Sequence, residues 1–164
     1  VTSEGQVEQD WWKQVPPLML DREGRWYDQG VRVTSPRLAE VLLTHLNKDE
    51  EGRYVVMVGR EKRYVEVEDA PYRALGIEIA GDVEGSERLF VRLNNGDLEP
   101  FDPATFWIGG DGTPYCRVKD SLHKVRFTVE AYRQLSAFIT EEVGADRYVL
   151  RIGSRRIPVP VENG

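Results

Sequence analysis

Cysteine occurs once in the 164 residues, at Cys116, which excludes an intrachain disulfide and a cysteine-built zinc site. Histidine occurs twice, at His45 and His123, too few for a His-rich metal centre. No apolar run approaches the ~18 residues of a membrane span. The start, VTSEGQVEQDWW, lacks the charged head and apolar stretch of a signal peptide. A basic surplus is also missing: 22 Lys plus Arg face 28 Asp plus Glu, a net charge of -6. A long, non-specific grip on nucleic-acid backbone is therefore disfavoured. The compact catalytic signatures are absent as well: no GxxxxGK before Ser or Thr, no GxGxxG after a strand, no HExxH and no GxSxG. These absences lead to the expectation of a cytoplasmic protein that binds rather than catalyses, with no cofactor, no metal and no membrane span.

What is present is a folding composition and a repeat. Hydrophobic residues make up 40% and charged residues 30%, with four Trp, seven Tyr and five Phe, unlike the aromatic-poor composition of disorder. YVVMVGREKRYVEV (Tyr54 to Val67) matches YVLRIGSRRIPVPV (Tyr148 to Val161) at a constant offset of 94. Both read as apolar alternation, a glycine-opened turn, and alternation again, so a β-hairpin is predicted twice.

A helical stripe precedes each hairpin. Ser35 caps the first with Pro36 at N1, and Leu38, Val41, Leu42 and Leu46 share one face. Thr128 caps the second, with Ala131, Tyr132, Leu135, Phe138 and Ile139 as the stripe, at an offset of 93. Upstream, DREGRWY answers GGDGTPY, a turn before an aromatic that opens a strand. The polar loops NKDEEG and EEVGAD correspond as well. Between the copies, RALGIEIAG and ERLFVRLN alternate as strands around DVEGS, and Asn95-Gly96 signals a type I′ turn.

Individual side chains have ordinary readings beside chemical ones. Glu66 and Glu68 alternate with valines and line the solvent face of a strand, while Asp69 before Ala70-Pro71 suits turn capping. Arg117, Lys119, His123, Lys124 and Arg126 form the one basic stretch, and strand spacing puts Arg117 and Lys119 on one face. His123 is expected to be solvated or packed, and Cys116 to be a small core residue. Trp26 and Tyr27 are adjacent, so one faces the core and the other is available to stack on a planar ligand. The first 82 residues hold 11 basic and 16 acidic groups and the remaining 82 hold 11 and 12, which favours attraction between the halves.

DREGRWYDQGVRV, YVEVEDAPYRALGIEI and LFVRLNNGD resemble the bacterial family of domain of unknown function 1285, and YCRVKDSLHKVRFTVEAYRQL resembles its strand-then-helix segment. The likeness spans about Pro16 to Pro160, and Val67 to Tyr72 is its most distinctive piece. The resemblance implies an α+β fold of two duplicated lobes, each a helix packed on antiparallel strands, the C-terminal one superficially like a pleckstrin-homology fold. In this chain they correspond to residues 1–82 and 83–164. It also implies a ligand between lobes, nucleotide-based by one suggestion, and a role in signal transduction.

Two functions are carried forward. One is a non-enzymatic module for a small anionic, nucleotide-like ligand. Its candidate residues are Asp69, Tyr72 and Trp26 as the element and faces of the first copy, Asn94 and Asp97 for orientation, and Arg117 and Lys119 for charge. The other is an adaptor whose sheet edge or lobe surface binds a protein, with no small ligand.

Overall fold

The computed structural model describes residues 15–81, 83, 85–144 and 147–162. The chain is α+β and divides into two compact units, Val1–Asp69 and Ala70–Gly164. Asp82, Glu84, Ala145 and Asp146, within the DVEGS and EEVGAD turns, lie outside the described residues.

The first unit contains β1 (Leu18–Leu20), β2 (Trp26–Asp28), β3 (Val31–Arg32), α1 (Pro36–Thr44), β4 (Leu46–Lys48), β5 (Tyr54–Val58) and β6 (Glu61–Val67). They form one six-stranded sheet in the order β3-β2-β1-β6-β5-β4, antiparallel except for β1 beside β6. Leu18, Leu20, Trp26, Leu42, Leu43, Leu46, Val55, Val56 and Val65 are its buried apolar residues.

The second unit begins with β7 (Tyr72–Ala80), β8 (Arg88–Leu93) and β9 (Leu98–Pro100). After a 3-10 turn at Pro103–Thr105 come β10 (Trp107–Ile108), β11 (Pro114–Val118), β12 (His123–Phe127), α2 (Val129–Leu135), β13 (Ile139–Glu142), β14 (Arg147–Ile152) and β15 (Arg155–Pro158). Its six-stranded sheet runs β10-β11-β12-β7-β8-β9, and β13-β14-β15 form a separate three-stranded sheet. Phe106 packs against both Phe101 and Phe127 in a core shared with Val91, Leu93, Cys116 and Val125. The division at Asp69/Ala70 lies upstream of the expected boundary at 82/83, because β7 pairs with β12 and β8.

The duplication is visible in the register. In the hairpins, Val55 opposite Tyr64 has its counterpart in Val149 opposite Pro158, both residues displaced by 94. Leu46 opposite Val56 corresponds to Ile139 opposite Leu150, so the one-residue gain falls in the loop after β4 and β13. The parallel closure recurs too: Leu20 opposite Val67 matches the isolated bridge of Ile108 to Val161. The Glu68 N–H donates to the Leu20 carbonyl at 2.9 Å, and the Glu162 N–H donates to that of Ile108 at 2.9 Å. Each copy is therefore a strand hairpin, a third strand, a helix and a three-stranded meander whose end returns beside its beginning.

Local chemistry accounts for these elements. The Ser35 hydroxyl accepts from the Leu38 N–H at 3.3 Å, and the Thr128 hydroxyl accepts from that of Ala131 at 3.2 Å, so both predicted caps are in place. Gly59 (φ 63°) and Gly153 (φ 60°) each open a two-residue turn whose second residue keeps negative φ, the II′ pattern that suits strand twist. Asp21 and Asp49 build the same turn. Each Oδ1 accepts from backbone N–H groups two and four residues on, and each Oδ2 accepts from Arg25 or Arg53 Nε.

Three expectations need correction. The helices are shorter than their stripes: Leu46 already belongs to β4 and Ile139 to β13, with a 3-10 turn at Ser136–Phe138. Asn95-Gly96 is not a type I′ turn, since only Gly96 (φ 92°) is left-handed; the Gly96 N–H donates to the Leu93 carbonyl, giving a type I turn with a glycine bulge. Leu38 is 48% exposed, whereas its counterpart Ala131 is fully buried.

Stability measurements follow from these faces. Leu135→Ala and Leu42→Ala should each cost about 2–5 kcal/mol through lost burial and a residual cavity. Leu38→Ala should stay within about 0.5 kcal/mol, as for other exposed positions. Urea titration of the three variants checks this, and a loss at Leu38 matching that at Leu42 would mean α1 presents a different face.

Candidate functional site

The structure divides the predicted site residues between the units. Trp26 and Asp69 belong to the first unit, and Tyr72, Asn94, Asp97, Arg117 and Lys119 to the second. Trp26 is the inward member of its pair at 2% exposure, so its indole fills core space and cannot stack on a ligand. Tyr27 is the outward one, and its hydroxyl donates to Asp21 Oδ2 at 3.3 Å. Asp69 is half-buried at the end of β6, beside Glu68, which pairs with Arg22 Nε at 2.9 Å.

Four of the five residues in the second unit converge at one end of the sheet. Tyr72 opens β7 but is only 4% exposed, with its ring edge-on to His123 at 5.5 Å. It is a core residue rather than an open aromatic face. Burial pushes its phenol up, Lys119 pulls it down, and Asp97 and Glu99 push it up again. Asn94 serves the backbone: its Oδ1 accepts from the Arg73 N–H at 3.0 Å, while its own N–H donates to the Arg73 carbonyl at 3.0 Å.

Lys119 holds the corner together. Its Nζ lies 3.0 Å from Asp97 Oδ2 and 3.2 Å from Glu99 Oε1. The hydrogen bond from Lys119 holds the Asp97 carboxyl below the usual carboxylate range, against a smaller opposing effect of burial. Burial pulls the ammonium of Lys119 down, but its bonds to Asp97 and Glu99 outweigh this and raise it.

The strand has ended at Val118, so the expected shared face of Arg117 and Lys119 does not continue. Lys119, Asp120 and Ser121 all take left-handed backbone (φ 55°, 59° and 64°), a conformation costing roughly 1–2 kcal/mol per L-residue. The adjacent groove, about 350 Å³, is lined by Glu99, Asp102, Arg117, Lys119, Asp120 and Ser121. Acidic groups outnumber basic ones there, and Lys119 is already neutralised. This corner does not suit an anion.

Arg117 leads instead to a face that sequence reading did not assemble. Trp107, Tyr115, Arg126 and Arg73 stand directly opposite one another across β10, β11, β12 and β7, with Arg117 opposite Lys124 in a neighbouring row. Trp107 stacks on Tyr115 at 5.2 Å and 24°. The Arg117 guanidinium lies 5.4 Å from the indole centroid, and Lys124 Nζ lies 4.2 Å from the Tyr115 ring. Alternation explains the arrangement, since Cys116, Val118, His123 and Val125 occupy the opposite, buried face of the same strands. Trp107 and Arg73 were missed. The signal available was the eight-residue spacing of Trp107 and Tyr115 about the turn GGDGT, which makes them cross-strand neighbours.

Titratable groups elsewhere offer little reactivity. Cys116 is fully buried and desolvation pushes its thiol up, away from the thiolate that redox or nucleophilic chemistry needs. His123 is 6% exposed and packs on Tyr72. No group of three or more His, Cys, Asp or Glu arranged for a metal occurs among the described residues. The first unit carries a further groove of about 500 Å³, where Arg53 lies 4.4 Å over the Tyr64 ring beside Lys48, Asp49 and Lys62.

This arrangement of sheets and helices has solved counterparts. A DUF1285 family protein from Silicibacter pomeroyi DSS-3 superposes with a TM-score of 0.66 at 20% identity, over 90% of this chain and 85% of that one. A second DUF1285 family protein, from Shewanella baltica OS155, gives 0.51 at 21% identity, over 71% of this chain and 87% of that one. The fold is that of DUF1285 family proteins. No family model matches the sequence, and no curated protein does. The DUF1285 likeness agrees with the sequence resemblance and carries the architecture alone.

The ion pair at Lys119 gives a direct measurement. Because the Asp97 pKa is depressed in the folded protein, its contribution to stability is present above the ordinary carboxylate pKa and lost as pH falls through the folded value. Lys119→Met should raise the Asp97 titration, followed by carboxyl NMR, towards the ordinary carboxylate range. An unchanged titration would show that the Asn95 side-chain amide, not Lys119, holds the carboxylate.

Proposed function

We propose that this protein is a non-enzymatic module that binds a small anionic ligand with a planar part, nucleotide-like in chemistry. The binding surface is the basic, aromatic face of β10, β11, β12 and β7. The observation that carries this reading is the cross-strand row Trp107, Tyr115, Arg126, Arg73, in which Trp107 offers the accessible ring and Tyr115, 7% exposed, backs it, with Arg117 and Lys124 beside it. A half-buried indole supplies a stacking surface, and guanidinium groups supply charge-assisted, bidentate hydrogen bonds to phosphate or carboxylate. Arg126 stands opposite Arg73 across β12 and β7, so both guanidiniums are carried on this face.

A net charge of -6 does not oppose this, because the four cations are concentrated on one sheet face. Binding without catalysis fits the burial of Cys116 and His123. Reversible occupation of such a face suits a sensing role in signal transduction. No helix among the described residues is long and apolar enough to cross a membrane.

A thermal-shift series with nucleoside mono-, di- and triphosphates, neutral nucleosides and inorganic phosphate tests the reading. A ligand at 100 times its Kd stabilises the native state by about 2.7 kcal/mol. Phosphorylated nucleosides should raise Tm and quench Trp fluorescence, and neutral nucleosides should not. Arg117→Ala should weaken binding about 10–100-fold, the loss of one charge-assisted hydrogen bond, while leaving the Tm of the unliganded protein nearly unchanged. Normal binding by that variant would overturn the site.

A further inference from the structure

We propose that the outer edge of β3 is a docking site for an extended segment of a partner protein, which adds to the first unit's sheet as a parallel strand. This edge belongs to the first unit, so docking there is independent of ligand binding at the basic face of the second.

The two copies align at β3 and β12. Arg32 stands opposite Tyr27 on β2 as Arg126 stands opposite Tyr115 on β11, which equates Val31-Arg32-Val33-Thr34 with Val125-Arg126-Phe127-Thr128. In the second copy that strand has a parallel neighbour: Val125, Arg126 and Phe127 lie beside Tyr72, Arg73 and Ala74 of β7. The Thr128 N–H and hydroxyl both donate to the Ala74 carbonyl, at 3.0 and 2.8 Å. In the first copy β3 ends the sheet, and no described strand occupies the position of β7.

The vacancy has consequences for exposure. Val31 is 70% exposed where Val125 is fully buried, and Leu38 on α1 is 48% exposed where Ala131, on the helix packed against β7, is fully buried. The Val33 N–H donates to the Trp26 carbonyl at 2.8 Å, so the backbone groups of Arg32 and the Thr34 N–H alternate away from β2. That unpaired row is what a further strand recognises, with main-chain bonds giving affinity and side chains giving selectivity.

The occupant's chemistry follows from its neighbours. Residues at the places of Tyr72 and Ala74 lie beside Val31 and Val33 and should be apolar. The residue at the place of Arg73 lies beside Arg32, an exposed guanidinium with no ion pair among the described residues, and Arg37 is exposed nearby. An acidic side chain is required there. The partner segment is thus extended, apolar at alternate positions and acidic between them.

The probe is a capped, fluorescent peptide of the β7 segment Tyr72 to Ile77 carrying Glu in place of Arg73, titrated into the full chain. Saturable anisotropy should be accompanied by hydrogen-exchange protection of the Arg32 and Thr34 amides, at least tenfold at saturation. Arg32→Glu, an exposed change that leaves Tm unaltered, should weaken this peptide at least tenfold and favour the parent peptide bearing Arg73. Absence of binding, or protection mapped to β12 or another edge, overturns the proposal. So does protection of Arg32 and Thr34 that rises with protein concentration alone, which would make the occupant a second copy of this chain.

Discussion

Ala74 offers its carbonyl to both the backbone N–H and the hydroxyl of Thr128, and that junction keeps β7 parallel to β12 just where α2 begins. Much of the second unit depends on it. It joins the hairpin of β10, β11 and the strand β12 to the β7-β8-β9 meander, making one six-stranded sheet from two segments of chain. It also gives α2 a surface. Gln134 Oε1 accepts from the Ile77 N–H at 2.6 Å beside the register shift at Ala74/Gly76, and a Cβ at Gly76 would come within 3.2 Å of that oxygen. The glycine there reflects close approach, since its φ is unexceptional.

The two copies thus began from one plan and were finished differently. Both close a meander by a parallel bridge to their first strand, and both bury the central residues of that meander: Val55 and Val56 in one copy, Val149 and Leu150 in the other. In the first copy the closure extends over three residue pairs and unites all six strands. In the second it is reduced to Ile108 and Val161, and the meander stands as a separate sheet. Sheet area lost at one end of the second copy is regained through β7 at the other.

Sequence revealed what short-range physics determines. The hairpins, their II′ glycines, the two caps and the repeat were legible because each depends on residues within a few positions of one another. The helix lengths were not, because apolar spacing continues through Leu46 and Ile139 after the helical hydrogen bonds have stopped. The match of VRVT with VRFT was available and is the better guide to β3 and β12 than the helix stripe. Burial of Tyr72 and Trp26 was beyond reach: an aromatic at a strand end faces in or out according to the pairing of strands distant in sequence. The candidate site was legible only in part for the same reason. Arg117 and Lys119 look equivalent by alternation, but the left-handed turn at Lys119 turns its ammonium to Asp97 and Glu99.

Electrostatics then separates two surfaces of one sheet that composition averages together. At its corner Lys119 is answered by two carboxylates, and the hydrogen bonds that depress Asp97 and raise Lys119 help hold three successive left-handed residues. On the face of Trp107 the Arg117 guanidinium lies over the indole instead, and an aromatic face leaves most of a guanidinium's N–H donors directed elsewhere. Neutralised charge can stabilise a turn but has little left to offer a ligand, whereas the Arg117 guanidinium over the indole remains available to an incoming anion. That physical difference, rather than proximity in sequence, is why Arg117 belongs with Trp107 and not with Lys119.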